Sequence, residues 1–139
     1  MKGWLALLKG FDQELAKSGH ADLKAIRSRL SAGAQAVSDS VDFILGAADK
    51  DPNAAFAGAV PFLHLMGIVA GGWQMARAAL ICESKLGRNE GDAGFHKAKI
   101  ATARFFADHV LSQAGGLAVT VTQGAGSVMA VPEEQFLAA

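Results

Sequence analysis

A chain of 139 residues holds one domain, long enough to bury about two-thirds of its unfolded surface around a single core. Its 13 basic and 13 acidic residues cancel, so no net charge recommends nucleic acid or an acidic membrane surface as a partner. The lone Cys82 excludes an internal disulfide framework and fits a reducing, cytoplasmic setting.

At the N-terminus Lys9 and Asp12 interrupt the apolar run Trp4, Leu5, Leu7, Leu8, which makes the segment amphipathic and unlike a signal-peptide core. Trp4, Leu8, Phe11 and Leu15 recur at helical spacing, and Ser18-Gly19 supplies a stop. A second helix is expected from about Ala21 to Ala48. Its apolar positions Leu23, Ile26, Leu30, Ala34, Val37, Val41, Ile44 and Ala48 step by threes and fours. Asp51-Pro52 then provides an N-cap and a first-turn proline together.

The third helix carries the most apolar stretch of the chain, Ala54 to Leu80. Phe56, Val60, Phe62, Leu63, Leu65, Ile68 and Val69 each favour a bilayer by roughly 0.3–0.6 kcal/mol at a helix centre. Pro61, His64 and four glycines oppose them, and Gln74 and Arg77 follow at once. The balance favours a central helix of a soluble bundle over a membrane span. Pro61 is expected to kink this helix or to mark where a short leading segment joins it. The helix ends at Leu86-Gly87, and Arg88 to Gly94 reads as a loop in which Asp92 caps the next helix.

That fourth helix shows one stripe through Ile100, Ala103, Ala107, Val110, Ala114 and Leu117 and another through Phe95, Thr102, Phe105 and His109. Gly115-Gly116 is expected to interrupt it and Gly124-Ala-Gly126 to end it. Leu117 to Gln123 alternates β-branched residues but continues the helical stripe, so it is read as helix. The tail from Ser127 is expected to dock through Val128, Met129, Val131 and Phe136. The fold class is all-α: one domain over residues 1–139, an antiparallel up-down bundle of about four long helices with a short tail.

The search for chemistry returns little. His20, His64, His96 and His109 form no pair at ligand spacing, and no Glu-x-x-His pair for a di-iron bundle is present. His64 is expected to be a hydrogen-bonded core or interface residue, and Cys82 a small buried one. Gly67 and Gly71 form a small-xxx-small pair that lets a neighbouring helix approach. Trp73 and Phe105-Phe106 are expected as core or interface anchors. The glycine-rich QAGGLAVTVTQGAG lacks the spacing and lysine of a phosphate loop.

Three stretches carry a resemblance: PFLHLMGIVAGGWQMARAAL, FHKAKIATARFFADHVLSQAGGL and TQGAGSVMAVPEEQF. Together they resemble the extra C-terminal helical domain of bacterial acyl-CoA dehydrogenases, covering about Trp4 to Phe136. The most specific parts are the Leu/Gly/Trp helix with Ala76-Arg77, the Lys99/Thr102-Ala103-Arg104-Phe105 helix, and Gly124 to Phe136. Ser112 stands where that family often has proline, a departure expected to straighten the fourth helix.

The resemblance implies a parent enzyme that uses FAD and a glutamate base to remove a proton and a hydride from an acyl-CoA. In such enzymes a Q-x-x-G-G-x-G signature in a preceding domain helps bind FAD. Gln113-Ala-Gly115-Gly116 has one residue too few to match it, so that role is not carried over. None of Glu14, Glu83, Glu90, Glu133 or Glu134 sits in a catalytic-base context.

The expectation is therefore a fragment with no catalytic, cofactor or metal residues of its own, and with FAD in the parent. Gly67, Gly71, Trp73, Arg77, Arg104 and Phe105 are its packing or interface candidates. Expected partners are the remaining parent domains and further copies of the chain, without nucleic acid. A stand-alone oligomerisation module and a membrane-association domain are the alternatives.

Overall fold

The computed structural model describes residues 2–137, which are helical almost throughout and contain no strand. The helices are α1 (Lys2–Leu15), α2 (Ala21–Ala47), α3 (Pro52–Ala57), α4 (Ala59–Gly87), α5 (Ala93–His109), α6 (Ala114–Gln123), α7 (Ala125–Val128) and α8 (Glu133–Phe136). The all-α class read from the sequence is what the chain adopts, with α1, α2, α4 and α5 as its long helices and shorter ones between and after them.

Local signals set most of the boundaries. After α1, the Ser18 hydroxyl accepts from the His20 amide at 3.1 Å and donates to Glu83 near the end of α4 at 2.6 Å. The His20 ring accepts from the Asp22 amide and so caps α2. Asp51 accepts from the Ala54 amide with Pro52 in the first turn, as its sequence signature suggests.

The chain then breaks at Gly58, not at Pro61. A Cβ on Gly58 would lie 3.2 Å from both the Cγ1 and the carbonyl oxygen of Val121, so the glycine admits the end of α6. Pro61 sits in the first turn of α4, where its missing N–H costs no helical hydrogen bond. The short leading segment is therefore α3. Beyond α4, Asn89 (φ 55°) and Gly91 (φ 75°) turn the chain, and Asp92 caps α5 by accepting from Gly94 at 2.7 Å and Phe95 at 3.3 Å.

Three expectations fail here. The fourth helix is not interrupted at Gly115-Gly116, which lie inside α6, and Ser112 does not straighten it. A 3-10 turn at Leu111–Gln113 separates α5 from α6. The Gln113 side-chain amide donates to the His109 carbonyl at 2.8 Å, satisfying an acceptor that the broken ladder leaves free. The tail does not dock either: Val128, Met129, Val131 and Phe136 are between 45% and 70% exposed. Although α7 lies against α3, a four-residue helix offers a single turn, and the core beneath is already closed by the fully buried Val121.

The core forms where α2, α4, α5 and α6 meet, with α1 laid on α2. Leu15, Leu23, Val37, Leu65, Val69, Ala76, Ala79 and Val121 are fully buried in the fold. Ser18 reaches Glu83 at one end, and Gly33 faces Val69 further along, so α2 and α4 run in opposite senses. Among the described residues α4 is the one helix long and apolar enough to cross a bilayer. Its mean hydropathy is 1.3 over the best window, of which 39% is buried. The remainder of that window is partly buried, as at Phe62, Met66 and Trp73, or exposed, as at Val60 and Leu63.

Candidate functional site

Close approach in this fold is built on glycine. A Cβ on Gly72 would lie 2.8 Å from Leu111 Cδ2. One on Gly33 would lie 3.0 Å from Val69 Cγ2 and 3.1 Å from Leu111 Cδ1. Leu111 is thus wedged between α2 and α4, with 2% of its surface exposed. Gly71 performs the same service for α5, its missing Cβ leaving room for Phe106 Cζ at 3.0 Å. Gly67, the other member of the expected small-residue pair, is exposed and meets nothing within 4 Å. It offers an open notch on the outside of α4.

The remaining candidates fall into separate places. Trp73 is half-buried, with the Trp4 ring edge-on at 6.3 Å and the Arg77 guanidinium 5.5 Å from its centroid. This trio fastens α1 to α4. The Trp73 indole N–H is buried without a hydrogen-bond partner among the described residues. Arg77 also donates to Gln74 at 3.1 Å.

Arg104 ties α5 to the start of α2, donating to Asp108 at 2.6 Å and to Asp22 at 3.1 Å. The hydrogen bond to Asp108 is the main cause that raises its pKa above the ordinary guanidinium value. Phe105 is 61% exposed and stacks on His109 at 4.4 Å, so it anchors no core. His64 is exposed on α4, which removes its core reading, whereas Cys82 is buried.

Two contacts escaped the sequence reading. Ser18–Glu83 spans 65 positions and has no local signature. His96, 6% exposed, holds the α4–α5 loop through its Nε2 and the Glu90 carbonyl at 3.0 Å. The sequence clue to that contact was a histidine four residues beyond a capping aspartate.

The grooves among the described residues include a small one of about 250 Å³ lined by Asp12, Lys24, Arg27, Ser28 and Ser31. A groove of about 420 Å³ between α2 and α6 is lined by Ala32, Gln35, Ala36, Asp39, Val119 and Thr122 among others. It offers an acid and no cation to a diphosphate. A groove of about 310 Å³ between α1 and α2 offers one lysine, Lys9, beside Asp12. Gln113 donates to the His109 carbonyl, Gly115 is exposed along the α2–α6 groove, and Gly116 is exposed beside it. Glu83 accepts from Ser18, and Glu90 lies 3.3 Å from Arg88. No group of three or more potential metal ligands occurs among the described residues.

Comparison with known proteins gives this helical scaffold its place. The chain is 39% identical over 123 residues to 3-methylmercaptopropionyl-CoA dehydrogenase of Ruegeria pomeroyi (strain ATCC 700808 / DSM 15171 / DSS-3). That alignment covers 88% of this chain and 21% of the relative, so the chain spans about a fifth of the protein it resembles. The profile of the family described as acetyl-CoA dehydrogenase C-terminal like matches residues 5–132, from α1 to the proline before α8. The chain belongs to the acetyl-CoA dehydrogenase C-terminal-like family.

Proposed function

We propose that this chain is a non-catalytic accessory domain of an FAD-dependent acyl-CoA dehydrogenase. The parent reaction would be α,β-dehydrogenation of an acyl-CoA thioester, with flavin and glutamate base carried by the parent's other domains. The observation that carries this reading is a family match over nearly the whole chain, combined with a dehydrogenase relative of which the chain spans a fifth. The domain then contributes packing and subunit contacts in a soluble, cytoplasmic enzyme, and its copies associate. A stand-alone oligomerisation module is the second reading, favoured by the exposed Phe56, Val60 and Leu63.

Co-expression separates these readings. The chain, produced with the flavin-bearing domains of an acyl-CoA dehydrogenase from the same organism, is expected to co-purify with them at one to one. Recovery of yellow, folded flavin domains without the chain rejects the accessory-domain reading.

A further inference from the structure

From the shape and charge of the seam between α1 and α2, we infer a binding site for an anionic amphiphile, an oxyanion head on an unbranched apolar chain. The site goes beyond the accessory role and does not depend on it. Three grooves follow this seam, of about 250, 310 and 120 Å³. Ser31 lines all three, Asp12 lines the first two, and Lys9 and Ala34 line the last two. Grooves that share walls in this way form one trough. Along α2 it runs from Lys24 to Ser38, about 21 Å at 1.5 Å per residue.

The lining changes character along that length. In the middle Leu8 and Leu30, 2% and 4% exposed, close the floor, and Ala34 keeps it low. Leu5 continues the apolar side toward the far end. The end near the start of α2 is polar, with Lys24, Arg27, Ser28 and Ser31. Asp12 is the one acid among the lining residues, and Arg27 holds it through two hydrogen bonds of 2.8 Å. With that acid neutralised, Lys9 and Lys24 set the sign of the trough, which is positive.

Size and charge together choose the occupant. One turn of helix, about 10 Å across and 5.4 Å long, fills roughly 400 Å³. That exceeds the 310 Å³ of the middle groove, so a partner helix does not enter it. A cation meets like charge, a small inorganic anion leaves the apolar floor uncovered, and a neutral hydrocarbon leaves the lysines unused. A single chain over Leu8, Leu30 and Ala34, with its oxyanion beside Lys24 and the two serine hydroxyls, uses every part.

Calorimetric titration of the 139-residue chain with octanoate, decanoate and dodecanoate, each below its micellar concentration, tests this. One-to-one binding is expected. The trough is open along one side and covers about half of each methylene, so each two-carbon extension is expected to tighten binding roughly fourfold. S31L, which blocks the trough at its shared wall, is expected to abolish binding. K9Q/K24Q is expected to weaken dodecanoate about tenfold and to leave 1-dodecanol unchanged. Ser31, Lys9 and Lys24 are exposed, so both variants are expected to keep the wild-type melting curve. A preference for dodecanoate over dodecyl phosphate assigns the head to a free carboxylate, and the reverse assigns it to a phosphate headgroup; either supports the inference. A chain that binds none of these at millimolar concentration overturns it, as does binding indifferent to S31L. Dodecanol that binds as tightly as dodecanoate also overturns it, and so does inorganic phosphate that binds as tightly as dodecyl phosphate.

Discussion

Leu111→Ala is expected to lower stability by about 3 kcal/mol and the thermal midpoint by about 10 °C. Leu111 is 2% exposed, and both of its methyl groups are engaged: Cδ1 lies over Gly33 of α2 and Cδ2 over Gly72 of α4. Truncation removes buried apolar surface and leaves a cavity whose walls are helix backbones, which cannot collapse inward as side chains do. The 3-10 turn that carries Leu111 would also lose its only buried anchor. A second substitution makes the test specific. Gly72→Ala adds a methyl group where Leu111 Cδ2 stands at 2.8 Å, so it is unfavourable beside leucine and fills the void beside alanine. The double variant G72A/L111A is expected to be more stable than the two single losses combined, by roughly 1 kcal/mol. Additive denaturant midpoints would show that the two residues do not share one space.

The second large effect is a contrast of sign between two helical glycines. Gly33→Leu gains helix propensity of about 1 kcal/mol. It also drives four heavy atoms between α2 and α4, where Val69 is fully buried and Leu111 nearly so. Overpacking of a closed core costs about 1–3 kcal/mol, and more when two backbones must separate. The net expectation is a loss of about 2 kcal/mol or failure to fold. Gly67→Ala, on the same α4 that Gly33 faces, has open space around it and is expected to gain up to about 1 kcal/mol. Chemical denaturation of both variants checks the pair. A stabilised G33L, or a destabilised G67A, would mean that the helix contacts are misassigned.

The contrast also shows which parts of the fold were legible. Caps are local: Asp51-Pro52 and Asp92 announce helix starts because a short acceptor side chain must lie within three residues of the amide it serves. The segment Leu117 to Gln123 read correctly as helix because its apolar stripe continued that of α5. The break at Leu111 was not legible. It depends on Gly33 and Gly72, which reach that position only through packing. Nor could the sequence choose the outer face of α4, a helix that is apolar or small on nearly every side. Gly67 and Gly71 lie one turn apart on the same face of α4, and only Gly71 comes level with Phe106 of α5, a difference of neighbour that spacing does not reveal. His64 is one position, about 100° around the helix, from the buried Leu65 and so falls outside the core, and the tail stays outside because four-residue helices bury little.

The surface candidates divide along similar lines. Trp73 and Arg104 hold helices together within the chain, through Trp4 and Arg77 in one case and Asp22 in the other. Phe105, Gly67 and Arg77 lie outward, where a partner would meet them. No residue type or spacing separates those two groups in advance, because an aromatic or arginine at helical spacing serves either use. What did carry over was the quoted run from Pro61 to Leu80, which lies wholly in α4 and inside the matched residues 5–132.

The proposed role is that of a domain serving a flavoenzyme without holding the flavin. Its most direct test is the absorption spectrum of the chain, purified after expression with excess flavin and set beside that of the complete dehydrogenase. A colourless chain and a yellow complete enzyme are the expected result. Stoichiometric flavin absorbance in the chain alone would contradict the claim.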